Sequence, residues 1–212
     1  MAPTAILRDG TLYYGQSGDS GIIALAENGA YVKVTEKQND RDGCVYPLCF
    51  GDHWVFDKYP GKVAGVLLAT DGIFDTFFPV YIRDRKIKIH VSLVQYFLDP
   101  EKLRFNLRTE EEISAARAAY LLKIPEKTVG DDKTVAVLLD PEIPVGRMPD
   151  AYYAEPDWDK LRQAFRARYE AGFRRAEAPK ISEKKELSRR HFRRLMAVLK
   201  RKKAFARSGR EK

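Results

Sequence analysis

The chain has 212 residues, 44% of them hydrophobic and 32% charged, which suits one ordinary domain with some surplus and excludes an array of domains or a disordered polymer. No apolar run approaches the roughly 18–20 residues needed to cross a bilayer. The net charge of +8 is unevenly shared: residues 1–150 hold 18 Lys and Arg against 22 Asp and Glu, a balance of −4, and residues 151–212 hold 20 against 8, a balance of +12. The first ten residues lack the basic segment and hydrophobic stretch of a signal peptide, and the two cysteines, Cys44 and Cys49, cannot make a disulfide framework. A reducing, cytoplasmic setting is the expectation.

In chain order, Thr11 to Gly15 is rich in β-formers and predicts a strand. Gly21 to Leu25 and Tyr31 to Val34 flank Glu27-Asn28-Gly29, a pairing that predicts a β-hairpin. Residues 36–62 are polar with scattered aromatics and read as a long irregular connection. Val63 to Thr70 is a continuous apolar run ending at Asp71-Gly72, the pattern of a strand buried on both faces. Helices are predicted over about 90–98, beginning at His90, and over 109–123. In the second, Thr109 followed by Glu112 forms a capping box. A last strand follows over 133–139. Pro141, Pro144, Pro149 and Pro156 then punctuate a linker, and two amphipathic helices follow over about 157–176 and 182–206.

Acidic residues sit at the strand ends. Asp71 follows the buried strand, Asp131 and Asp132 precede the last one, and Asp19 lies in Gly18-Asp19-Ser20. Carboxylates converging from strand ends offer the hard oxygen ligands that magnesium and manganese prefer. The plain alternative is that Asp-Gly and Gly-Asp pairs are ordinary turn residues.

The wording around these aspartates adds a resemblance. Leu67-Leu68-Ala69-Thr70-Asp71-Gly72-Ile73-Phe74-Asp75 resembles a segment of the type 2C metal-dependent protein serine/threonine phosphatases, which reads small-Ser/Thr-Asp-Gly-apolar-aromatic-Asp. Asp131-Asp132-Lys133-Thr134 with the apolar strand behind it is similar to that family's closing motif. Gly18-Asp19-Ser20 is similar to its Gly-Asp-Ser element, and the three occur in family order over about residues 11–140. The resemblance implies an α+β fold, an α-β-β-α sandwich of two antiparallel sheets flanked by helices and partial here, with a C-terminal helical extension. It implies that Asp71 and Asp131 ligate metal, that Asp19 joins Asp71 at a loosely held third site, and that Gly72, Asp75 and Asp132 support them. The cofactor so implied is a binuclear magnesium or manganese centre. The reaction is attack of metal-bound hydroxide on a phosphoserine or phosphothreonine of a phosphoprotein, without a phospho-enzyme.

The family's N-terminal elements are missing: an Arg that grips phosphate, a Glu-Asp pair, and an Asp-Gly-His-Gly element whose Asp bridges the metals. Asp9-Gly10 lies only nine residues before Asp19, too close to be that element, and Asp42-Gly43 lies after it. The expected organisation is therefore a partial phosphatase-like domain over 1–140, a proline-rich linker over 141–156 and a basic two-helix extension over 157–212. The chain reads either as the C-terminal part of a phosphatase, which would need the missing portion or a complementary chain to assemble the bridged pair of metals, or as a degenerate relative of one. A sandwich lacking its first strands should also expose sheet edges and core surface.

Two other patterns lead elsewhere. Gly18-Asp19-Ser20-Gly21 matches the residues around a trypsin-like nucleophile, but no His precedes Ser20. The span 182–207 holds eleven Lys and Arg against two Asp and Glu, including Arg189, Arg190, Arg193, Arg194, Lys200, Arg201, Lys202 and Lys203. That surface suits an anionic partner, so the alternative function is a non-catalytic, pseudophosphatase-type binding module whose tail docks on one. The plain alternative is a solvated amphipathic helix that packs its Leu187–Leu199 stripe on the helix before it, since no nucleic-acid-binding motif accompanies the charge; nucleic acid is the weaker expectation for a partner.

Overall fold

The computed structural model describes residues 3–38, 45, 51–83, 85–104 and 107–171. The chain divides into two compact units, Met1–Pro156 and Asp157–Lys212. In the second, a helix runs over 158–171. The expected helix over 182–206 and its eight named cations lie outside the described residues.

The first unit is built on two antiparallel sheets. One has the order β1-β2-β5, from β1 (Thr4–Arg8), β2 (Thr11–Gln16) and β5 (Val55–Lys58). The other has the order β4-β3-β6-β7, from β3 (Gly21–Ala26), β4 (Tyr31–Lys33), β6 (Val63–Ala69) and β7 (Val135–Leu139). Strand alternation, offset by one residue at the irregularity where Leu25 faces Gly65 and Ala26 faces Val63, sorts their side chains into two cores. Ile22, Ala24, Val63 and Val66 meet Leu12, Leu7 and Tyr14 between the sheets. Ile23, Leu25, Ala64, Leu67 and Ala69 point the other way, toward the helices α1 (Asp71–Phe77) and α2 (Val91–Leu98). The strand at 63–69 is thus buried on both faces, as its unbroken apolar run predicts. The result is an α+β fold whose helical layer, among the described residues, lies on the four-stranded sheet.

Turn chemistry connects these strands. Asp9 and Gly10 both take positive φ, at 51° and 70°, and make the two-residue turn that closes β1 on β2. In the 21–33 hairpin only Gly29 does so, at φ 85°, after a turn closed by the Gly29 amide on the Ala26 carbonyl. The capping box stands as predicted: Thr109 Oγ1 accepts from the Glu112 amide, and the Glu112 carboxylate accepts from the Thr109 amide. It opens α4 (Glu110–Lys123), which follows the short α3 (Pro100–Leu103). His90 caps α2, its Nδ1 accepting from the Leu93 amide at 3.4 Å, and burial holds its pKa below the usual histidine value.

The proline-rich stretch packs against the sheets. The Gly146 amide donates to the Glu27 carbonyl, and Asp140 Oδ2 accepts from the Gly10 amide. The Tyr152 hydroxyl, from α5 (Asp150–Tyr153), accepts the Tyr31 amide at 2.9 Å. That contact occupies a backbone donor on the edge strand β4, one of the ways native sheets blunt an edge.

Candidate functional site at one end of the four-stranded sheet

Register decides which loops meet. Gly21 pairs with Ala69, and Ala69 with Val135, so the turn before β3, the chain after β6 and the loop before β7 leave the sheet at the same end. The segment after β4 joins them: the Val34 amide donates to the Ile22 carbonyl, and Thr35 Oγ1 accepts from the Ile22 amide. The topology therefore brings Asp19, Asp71, Asp131 and Asp132 to one sheet end. Asp19 and Asp71 are half-buried there, and Asp131 and Asp132 are exposed.

Thr70 fastens two of these segments together. Its amide donates to the Thr134 carbonyl at 3.1 Å, and its hydroxyl donates to the Asp132 carbonyl at 2.8 Å while accepting from the Thr134 amide at 3.1 Å. The Thr70 carbonyl meanwhile accepts from Ile73 and Phe74, so β6 turns directly into α1 with Asp71 in its first turn. We expect Thr70→Val, which keeps the shape and removes the hydroxyl, to cost about 0.5–1.5 kcal/mol. Hydrogen exchange at the Thr134 amide should accelerate selectively. Unchanged protection there would mean that the hydroxyl does not hold the junction.

Two glycines let the segments approach. A Cβ on Gly72 would lie 2.9 Å from Val129 Cγ1, 3.2 Å from the Asp132 carbonyl and 3.3 Å from Asp131 Cβ, so the first turn of α1 rests directly on the 129–132 loop. A Cβ on Gly21 would fall 2.2 Å from the Phe74 ring, which α1 lays over the start of β3. The Asp19 turn has its own scaffold. Buried Gln16, 2% exposed, donates through Nε2 to the Gly18 and Ser20 carbonyls, and the Gln38 amide donates to Gly18 as well.

The carboxylates are engaged unequally. Asp131 Oδ1 accepts from the Asp132 amide at 2.8 Å, a local turn contact. Asp75 is ion-paired with Lys37, whose Nζ lies 2.7 Å from Oδ1 and 2.8 Å from Oδ2. No spacing rule links residues 37 and 75, so sequence reasoning missed this cation at the site. Thr70 was visible only as part of the Thr70-Asp71-Gly72 wording, without its bonding role. Among the described residues, no group of three or more His, Cys, Asp and Glu side chains is arranged to hold a metal ion. The buried Ser17 hydroxyl, beside the Asp19 turn, has no hydrogen-bond partner among the described residues.

No family model matches the chain, and no curated protein matches it. Among solved structures, a bacterial serine phosphatase aligns at 14% identity and a TM-score of 0.38, covering 68% of this chain. The chain spans 57% of that phosphatase. A likeness so loose carries no functional weight. Among the described residues, no helix is long and apolar enough to cross a membrane.

Proposed function

We propose that Met1–Pro156 carries part of a metal-dependent protein serine/threonine phosphatase site of the type 2C kind, acting on phosphoproteins. The supporting observation is the contact between the Asp71-Gly72 turn and the Asp131-Asp132 loop, which brings two carboxylate-bearing segments together across 60 residues of sequence. Their hard oxygens suit magnesium or manganese, and either ion keeps several waters when one or two carboxylates hold it. Asp71 and Asp131 would hold one such ion. The described donors do not fit a binuclear centre, so a second ion and its bridging ligand would come from another segment or chain. A bound ion of this kind lowers the pKa of water and neutralises charge on a phosphoryl group. The chain's own residues do the positioning: Thr70 sets the spacing of the two carboxylate segments, and Lys37 holds Asp75 by charge.

A second reading is a non-catalytic binding module, favoured by the lack of a three-ligand group among the described residues. Calorimetric titration of the whole chain with manganese, alongside a phosphopeptide hydrolysis assay, separates the two. One weakly held ion per chain is expected, with affinity falling at least about tenfold in Asp71→Asn and in Asp131→Asn, since each removes a charged ligand. Retained affinity in both variants would overturn the metal assignment. Manganese-dependent hydrolysis that Asp71→Asn abolishes would exclude the non-catalytic reading.

A further inference from the structure

The three-stranded sheet has an outer face that no described element covers. On it, Ile6, Tyr13 and Lys58 form one cross-strand row, Thr4, Gly15 and Phe56 the next, and Arg8 and Thr11 a third. Phe56 is 72% exposed, Ile6 66% and Tyr13 48%, the reverse of the usual placement of large apolar side chains. The aromatics are displayed in order. The Phe56 ring lies across Gly15, where a Cβ would meet it at 2.6 Å, and stacks on Trp54 at a centroid separation of 5.5 Å and 7° between planes. Lys58 Nζ sits 5.7 Å from the centre of the Tyr13 ring.

We infer that this face is a platform for single-stranded nucleic acid, with bases stacking on Phe56 and Tyr13 and phosphates meeting Lys58 and Arg8. Charge favours a polyanion. Residues 1–150 sum to −4, yet the strand positions on this face include two cations and no carboxylate. Arg8 does pair with the turn residue Asp9 at 3.6 Å, but both are exposed, and such a pair adds little stability. Asp57 belongs to the opposite face, beside Tyr14. Geometry favours unpaired bases. Diagonal neighbours on adjacent strands, as Tyr13 and Phe56 are, stand about 7–8 Å apart, and a sheet face of spaced aromatics receives splayed bases that a duplex keeps stacked. Stacking on an aromatic is tolerant of sequence because every base has a π-face. The Lys58 stem is long enough to release the Tyr13 ring to a base and carry its ammonium to a neighbouring phosphate.

The test uses the full chain and a labelled 20-nucleotide oligo(U). Because the 151–212 segment is strongly basic, affinity alone would not locate the site. Trp54 and Trp158 are the two tryptophans, so in a Trp158→Phe background the emission reports the platform. Binding should quench Trp54, and Phe56→Ala and Tyr13→Ala should each weaken binding about five- to hundredfold. Circular dichroism should show both variants folded, as these exposed positions permit. Unquenched Trp54, or unchanged affinity in both variants, would assign the binding to tail electrostatics and overturn the platform. A self-association that Phe56→Ala abolishes, without quenching by RNA, would give the face to a second copy of the chain and overturn it equally.

Discussion

Phe77→Ala is expected to destabilise the protein by about 3–5 kcal/mol, the cost of emptying a fully buried aromatic site. Phe77 is 0% exposed, on the face of α1 that meets the four-stranded sheet, and its ring packs edge-on against Phe97 of α2 at 6.0 Å. Its carbonyl accepts from the His90 amide, which ties α1 to the start of α2. For a unit of this size each kcal/mol moves the midpoint by roughly 2–4 °C, so thermal unfolding should shift down by about 6–20 °C. Phe56→Ala is the control of the same chemistry, and its exposed ring should cost less than about 1 kcal/mol. Equal shifts for the two would mean that α1 is not seated as described.

Gly21→Ala is the second large effect, and it links the core to the site. The added methyl would fall 2.2–2.4 Å from three carbons of the Phe74 ring, nearer than non-bonded carbons approach. Phe74 cannot swing clear, since it is buried, touches Phe78 at 4.9 Å and lies under Lys33. The helix must therefore move, at a cost of about 1–3 kcal/mol. Asp71 opens that helix, so if Asp71 holds a metal ion as proposed, the displacement should also weaken manganese binding. In a Phe74→Leu background the added methyl should cost less, with a coupling of about 0.5–3 kcal/mol in a double-mutant cycle. Additive costs would show that the Phe74 ring is not what Gly21 accommodates.

Local chemistry made much of the fold legible. The hairpin at 21–33, the strand buried on both faces at 63–69, the capping box at Thr109 and the helix start at His90 each rest on residues close together in sequence. Two strands escaped notice. β5 lies inside a polar stretch, and all four of its residues are exposed, so it has no alternation to detect. β1 alternates only weakly between half-buried and exposed, although its turn carried a readable Asp-Gly signal. Helix α1 was missed for a different reason. Gly72 in its first turn and its seven-residue length argue against a helix, and burial of Ile73, Phe74 and Phe77 overrides that preference.

The candidate site divides along the same line. Asp19, Asp71 and Asp131 stood out from their positions at strand ends, and their shared sheet end follows from strand order and register. No local pattern contains the bonds of Thr70 to Asp132 and Thr134, the seating of Gly72 on the 129–132 loop, or the pairing of Lys37 with Asp75. The exposed aromatic face was equally hidden, because it depends on which strands pair and which side is left bare.

The sequence by itself determined what nearest neighbours decide: hydrophobic period, turn residues, helix caps and the division of charge between the two parts of the chain. Only the tertiary structure decided which distant carboxylates share a sheet end, which cation holds Asp75 and which aromatics face outward. The physical reason is that those contacts join residues tens of positions apart. Strand pairing and close packing of the whole core select them, and no term local to the chain encodes them.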